Sequence, residues 1–362
     1  MPIYMDRHDI PEEITAEHVA QMHREDLKIE HLYGCKGMTY WCDEKRRTAF
    51  CLINAPNKKA LQEMHNHAHG TVPHQIIEVD SAIVESFLGR IEDPVKSLKT
   101  ELNIINDPAF RTILILGFQK TTLREAVAKQ LNTDIKKYNG AIVDCIKKHT
   151  GRIVKQKPDY FLTSFNSVTN AVICALALQQ LSITHSAHLK TNIGLHVGIP
   201  VTEKEGLFED TIKLAAHFTN IEKGKVVISS EVKELYESEN LNIAIDKKLV
   251  FALTPSEEKF LTTLMEYTEK EWANPSFNAG SFGKKLGYSK SQLYRKMISV
   301  TGMSPNSFIK AYRLQKALEL LHKKEDNISE IAFNTGFNSA AYFSKCFMDT
   351  YGILPSKYSR QH

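Results

Sequence analysis

The sequence has no apolar run long enough to cross a bilayer, which excludes a helical membrane anchor from the reading. Its first residues, Met1-Pro2-Ile3-Tyr4-Met5-Asp6, lack the basic-then-apolar pattern of a secretory signal. The six cysteines, Cys35, Cys42, Cys51, Cys145, Cys174 and Cys346, show no paired spacing of a disulfide framework. These absences together predict a cytoplasmic protein with free thiols and no membrane partner. Large charge of one sign is also missing, with a formal net charge of +4 over 362 residues. That small excess is unevenly placed. Residues 255–362 hold 15 Lys and Arg against 10 Asp and Glu, a net +5, whereas the remainder holds 31 against 32. Positive charge therefore collects at the carboxy-terminal end, as attraction to phosphate would require. The length suits two or three domains, and the 42% hydrophobic fraction suits globular cores.

The carboxy-terminal stretch reads as two helix-turn-helix units in tandem. The first is 278–286, Gly287-Tyr288 and 289–300; the second is 328–335, Gly336-Phe337 and 339–351. Each turn places a glycine where a left-handed backbone is cheap, and a Ser caps each following helix. One helix from Pro305 to about Lys323 joins the units, capped by Ser304. It would be roughly 28 Å long, a strut able to hold two reading helices about one DNA turn, roughly 34 Å, apart. A supporting helix, 256–272, with Ser256 as cap, precedes them after the boundary at Pro255.

The residues Leu286-Gly287-Tyr288-Ser289, Leu293-Tyr294-Arg295-Lys296, Thr301-Gly302-Met303-Ser304-Pro305, Ile309, Arg313, Ala317, Ile331-Ala332, Gly336-Phe337, Tyr342-Phe343 and Phe347 resemble the AraC/XylS-type DNA-binding domain. The resemblance implies a transcription regulator rather than an enzyme, with double-stranded DNA as partner and RNA polymerase as a further candidate. In the first reading helix, Leu293, Met297 and Ile298 are the expected inward residues. Lys290, Ser291, Gln292, Tyr294, Arg295 and Lys296 are left to face DNA or flank the core, and Arg295 could grip a guanine or hold a phosphate. In the second, the contact face is expected to carry Asn338, Ala340, Ala341, Ser344 and Lys345. Alanines offer no side-chain hydrogen bond, so this unit should lean on phosphate contacts and DNA shape.

At the other end, residues 1–80 show strand-like runs at 3–7, 37–42, 48–53 and 75–79, with helical stretches at 15–31 and 57–69. The order β-α-β-β-α-β is that of a ferredoxin-like unit. Eight of the fifteen histidines fall here. His65 and His69 are four apart on a predicted helix, so their rings share a face and could meet one metal ion. His8, His23 and Cys51 could add ligands if the fold brings them near; equally, these could be surface histidines. The segment resembles a small ferredoxin-like family described as nickel-binding, through Tyr4-Met5-Asp6-Arg7-His8, His23, Asp26, Tyr33-Gly34, Tyr40-Trp41, Asp43-Glu44, Phe50-Cys51-Leu52, Ala55-Pro56 and residues 65–70. That resemblance implies a divalent transition metal, nickel being suspected, but not its ligands; the set expected from the residues themselves is His65 and His69, with His8 as third ligand. Imidazole alone does not choose among nickel, copper, zinc and iron.

Residues 81–107 are helical in character, with Val84, Phe87, Leu88, Ile91 and Val95 on one face and a break expected at Pro94. Beyond them, residues 111–254 alternate strands and helices. Gly151-Arg152-Ile153-Val154-Lys155, Asp159, Phe161-Leu162, Cys174-Ala175-Leu176-Ala177, residues 193–198, Ala215-Ala216 and residues 227–230 resemble the class III nucleotide cyclase domain. Lys155 and Asp159 would be the remnants of a nucleotide site. The first metal-binding carboxylate of that family is replaced by Leu116 or Gly117, and its Asn–Arg pair by Lys213 and His217. Losing both should remove the charge stabilisation that catalysis needs. For Lys155 and Asp159 an ordinary hairpin ion pair is the simpler expectation. The resemblance also implies pairing, hence a homodimer.

The expected architecture is therefore α+β and multidomain: a ferredoxin-like domain (1–80), a helical connector (81–110), a cyclase-like domain (111–254) and an all-α tandem helix-turn-helix domain (255–362). The expected function is a ligand- or metal-responsive regulator of transcription. The alternatives are a nucleotide cyclase or nucleotide sensor fused to a DNA reader, and an amino-terminal module that binds a small molecule or only dimerises.

Overall fold

The computed structural model describes residues 1–95, 102–120, 122–123, 125–185, 189–221, 223–241, 243–323 and 327–361. The chain begins with β1 (Ile3–Asp9), α1 (Ala16–Ile29), β2 (Lys36–Asp43), β3 (Thr48–Asn54), α2 (Lys58–His69) and β4 (Gln75–Val79). Thr15 and Asn57 cap the two helices, as their positions in the sequence predict. The sheet order is β2-β3-β1-β4, with β1 antiparallel to both neighbours. Strand alternation sorts the side chains onto two faces. Tyr4, Tyr40, Cys51 and Ile53 pack under α1 and α2 with Val19, Leu61 and Met64. Met5, Trp41, Phe50, Leu52 and Ile77 form the opposite face.

That opposite face is buried too. α3 (Ser81–Leu88) lays Val84, Phe87 and Leu88 against it, together with residues of a second sheet. The helix stops at Leu88, well before Pro94, because Gly89 caps it; Val95 is fully exposed and belongs to no apolar face. The long helical connector expected over 81–107 is thus one short helix followed by extended chain, and residues 96–101 lie outside the described part. Arg111 anchors this junction. Its buried guanidinium donates to the carbonyls of Phe87 and Leu88, the unsatisfied end of α3, and to Phe110 and Pro108.

The middle of the chain runs β5 (Arg111–Lys120), α4 (Glu125–Lys148), β6 (Arg152–Lys157), β7 (Tyr160–Phe165), α5 (Val168–His185) and β8 (Leu189–Gly198). It continues with α6 (Glu209–Phe218), β9 (Val226–Ile228), α7 (Ser230–Glu239) and β10 (Val250–Ala252). Its sheet order is β10-β9-β8-β5-β7-β6. The portion β8-β5-β7-β6 repeats the connectivity and strand order of the first sheet, and β9 and β10 add on in parallel beyond β8. Leu114, Leu116, Phe161 and Leu195 form a core with α4 and α5 residues such as Ile142 and Ala175; Ile113, Ile115 and Leu162 join the core shared with the first sheet.

No linker separates this domain from the carboxy-terminal helices. Thr254, not Ser256, caps α8 (Pro255–Glu271), with Pro255 at its first position and Glu257 closing a capping box. After it come α9 (Ala279–Leu286), α10 (Lys290–Thr301), α11 (Pro305–Lys323), α12 (Ile328–Asn334), α13 (Ala340–Tyr351) and α14 (Pro355–Gln361). α8 packs on α6 through Phe218, Ile221, Phe260, Leu261 and Leu264. Leu123 joins the core of α11–α14, and its amide donates to the Tyr351 carbonyl at 2.9 Å.

Gly194 on β8 lets α6 lie this close. A Cβ there would strike the Ala215 carbonyl and lie 2.7 Å from Phe218 Cβ. Gly194→Ala should destabilise the protein by about 1–3 kcal/mol through overpacking. Thermal unfolding checks this; an unchanged midpoint would mean that α6 does not rest on β8 as described.

Candidate functional site

Two groups of side chains carry chemistry, one buried under the amino-terminal helices and one exposed at the carboxy-terminal end. The buried group continues the helix-facing side of the first sheet. Asp6 and His8 follow Tyr4 at two-residue intervals on β1, Cys51 lies beside them on β3, and His65 descends from α2. His65 is fully buried, and both of its ring nitrogens are engaged. Nε2 meets Asp6 Oδ2 at 2.9 Å, and Nδ1 meets Asp26 Oδ1, from α1, at 3.0 Å. Burial alone would lower the pKa of His65, but its bonds to Asp26 and Asp6 outweigh that and push it up to about 10. Asp6 is held well below the usual carboxylate range: burial opposes this, and His8 and His65 overcome it.

His69 stands one turn on from His65, with Nε2 3.2 Å from His65 Nδ1 and 3.3 Å from Asp26. His8 Nε2 is buried 3.5 Å from Asp6 Oδ1, an ion-pair contact without a hydrogen bond. The three histidines singled out in the sequence do converge, their ring centroids 5.1 to 6.5 Å apart. They converge as two overlapping ligand sets that share His65: Asp6, His8, Cys51 and His65, and Asp26, His65 and His69. His23 goes elsewhere, pairing with Asp93 at 3.4 Å and packing on Tyr40. His67 bonds the Tyr33 hydroxyl.

Whether these residues fit a metal can be judged from their donors. The buried His8 nitrogen makes no hydrogen bond, its nearest polar neighbour being the Asp6 carboxylate. Imidazole, carboxylate and a thiol within 4.8 Å of one another form a mixed set of the kind that nickel, zinc and copper accept. The Cys51 thiol is raised by burial and by Asp6, so it would have to lose its proton to ligate. The set fits. Asp6 and Asp26 supply its carboxylates and were not singled out as ligands from the sequence. The β1 alternation Tyr4-Asp6-His8 was the available signal, since an acid on a core-facing strand position requires a partner.

The exposed group lies on α10 and α13. Ser289 and Ser339 cap them, and Gly287 and Gly336 turn the chain at φ +74° and +78°. Leu293, Met297, Phe343 and Phe347 are buried, whereas Ile298, expected inward, is exposed. Lys290, Ser291, Gln292, Tyr294 and Arg295 are exposed on the first helix, and Lys296 is half-buried with its ammonium over Phe260. On the second, Asn338, Ala341 and Lys345 are exposed, while Ala340 and Ser344 are half-buried. Counting from the caps, the two helices correspond with an offset of fifty: Leu293 with Phe343, Arg295 with Lys345, and Gln292 with Tyr342. Tyr342 is 57% exposed and belongs on the contact face, to which the sequence alone does not assign it.

The two units are held together by Arg313 on α11. Its Nε donates to Trp272 O at 2.8 Å, and its Nη2 donates to Asn274 O and Phe277 O. Gly336 fits against the same place, where a Cβ would come within 2.7 Å of Trp272 O.

Lys155 and Asp159 are not joined by an ion pair, contrary to the simpler expectation. Lys155 is an exposed residue of β6, and Asp159 sits in the turn before β7, where its carbonyl accepts from Phe118 N. Lys213 and His217 on α6 are engaged by α8, at 3.1 Å from Glu266 and 3.2 Å from Glu269.

Residues 282–361 match the family described as a helix-turn-helix domain, and residues 4–79 match the family described as nickel responsive protein SCO4226-like. A histidine kinase P4 of Formosa agariphila is 36% identical over 117 residues, covering 30% of this chain and 8% of that protein. The HTH-type transcriptional regulator MtrA of Neisseria gonorrhoeae is 33% identical over 98 residues, covering 27% of this chain and 31% of its own length. The crystal structure of SCO4226 from Streptomyces coelicolor A3(2) is 31% identical, covering 21% of this chain and 94% of that one, with a TM-score of 0.20. The chain thus spans less than a third of these two curated relatives. Its carboxy-terminal segment is an AraC-type helix-turn-helix domain, and its amino-terminal segment carries the nickel-responsive match.

Arg313→Ala should lower stability by about 2 kcal/mol, because three carbonyls lose a charged donor. Arg313→Lys should recover only part of this, since an ammonium cannot span the three. Thermal unfolding of both variants is the check, and equal stability of Arg313→Lys and the unaltered protein would refute the bridging role.

Proposed function

We propose that this protein is a sequence-specific regulator of transcription that reads double-stranded DNA through α10 and α13 and responds to a divalent transition metal at the His65 centre. The observation that carries the metal reading is the gathering of Asp6, Cys51 and His65 around a buried His8 nitrogen that makes no hydrogen bond. The nickel-responsive match over the same segment favours nickel among the candidates. An ion on the Nε2 side of His65 would be held with Asp6, His8 and Cys51, and one on the Nδ1 side with Asp26 and His69, in each case taking the place of the proton between His65 and its carboxylate. The opposing reading is a metal-free polar cluster, favoured by the two-sided bonding of His65, which needs no ion. A cyclase activity is disfavoured because Lys213 and His217 are engaged by α8.

Purified protein loaded with nickel and then desalted should retain metal by elemental analysis. A His65→Ala, His69→Ala variant should retain none. Equal nickel in both would remove the metal role. Selection from a random duplex pool, with and without nickel, then tests the coupling.

For the reader, Arg295→Ala should relax preference at one base position by about 1–3 kcal/mol. Lys345→Ala should weaken binding to all sequences alike and reduce the salt slope by about 1. Retained affinity and selectivity in both variants would exclude this docking.

A further inference from the structure

A cavity of about 1100 Å³ lies between the middle domain and the strut of the DNA reader. It is apart from the metal centre and meets the reading helices only at the end of α13. Its two walls differ in chemistry. Among the described residues, the wall from the middle domain carries Lys136 and Lys157 beside one carboxylate, Asp159. The opposite wall is aromatic and aliphatic, with Phe308 and Tyr312 from α11 and Tyr351 at the end of α13. Asn139 lines the same space, and its carbonyl oxygen is buried without a hydrogen-bond partner. The volume is slightly above that of typical small-molecule sites, which span about 300–1,000 Å³ and combine an apolar lining with a few placed polar groups.

The geometry points to an effector site for an organic anion: an acidic headgroup against the lysines, a ring system against Phe308 and Tyr312, and a hydrogen-bond donor to Asn139. Phosphate and carboxylate headgroups satisfy the lysines equally. An occupant touches the middle domain and α11, α13 and α14 at once. It therefore braces the strut that sets the spacing of the two reading helices and acts on the reader directly.

Anilinonaphthalene sulfonate, an aromatic anion whose fluorescence reports burial, serves as the probe on the full chain in EDTA. One saturable site is expected. Ala311→Trp, which fills the cavity from α11, should weaken binding tenfold or more. The Lys136→Glu, Lys157→Glu pair should do the same, whereas a Lys284→Glu, Lys285→Glu pair on α9, of equal charge change, should leave it unaltered. Competition by ATP or by indole acetate then separates phosphate from carboxylate headgroups. Circular dichroism identifies any variant that fails to fold, and the other then decides. Absence of a saturable site, binding unaltered by the folded cavity variants, or equal weakening by the control pair would overturn the proposal.

Discussion

The reader depends on one guanidinium. Arg313 donates to the carbonyls of Trp272, Asn274 and Phe277, the irregular backbone between α8 and α9. Helix ends and turns leave carbonyls unsatisfied, and a planar fork of donors can satisfy several at once where no backbone amide reaches. Because Arg313 lies near the middle of α11, this contact fixes the strut to the support of the first unit. The second unit then locates itself by the fit of Gly336 against Trp272. The placement of both reading helices follows from that one point. Burial of the guanidinium lowers its pKa, yet an arginine stays charged there, which keeps its hydrogen bonds strong.

The middle domain extends the same rigidity inward. α6 meets α8 through Phe218 and Leu264 and through the pairs Lys213–Glu266 and His217–Glu269. The exposed pair Lys213–Glu266 adds little stability, whereas His217 is buried in its pair. Their effect is on register, since they fix which turn of α8 lies on which turn of α6. Burial pulls the pKa of His217 down, against the pull of Glu269, so this partner is not a fixed charge.

Much of this is legible in the sequence, for identifiable reasons. Helix limits in the reader are marked by strong local chemistry: Asn278, Ser289, Asn327 and Ser339 cap the helices at the expected boundaries, and α11 spans Pro305–Lys323 as expected. The first sheet is legible because its strands are short runs rich in apolar and aromatic residues, set apart by two capped helices. The connector is overextended in the sequence because Val84, Phe87 and Leu88 satisfy a helical period that Ile91 and Val95 merely continue by chance, and periodicity ignores a glycine stop at Gly89. α7 and α14 leave little signal, being short and polar, with stability that comes from tertiary packing. At the buried centre, helical spacing identifies His65 and His69, but the carboxylates come from β1 and α1, and only the fold brings them together.

The Trp41 face of the first sheet has a consequence for self-association. Small ferredoxin-like units have one bare sheet face, and a twin molecule is one means of covering it. Here α3 and the second sheet of the same chain already cover that face, with Trp41, Met5 and Leu52 wholly removed from solvent. Two copies of this protein that met at the first domain would therefore do so through surfaces other than this face. The gene has in effect placed an internal mate where a symmetric homomer would otherwise supply one.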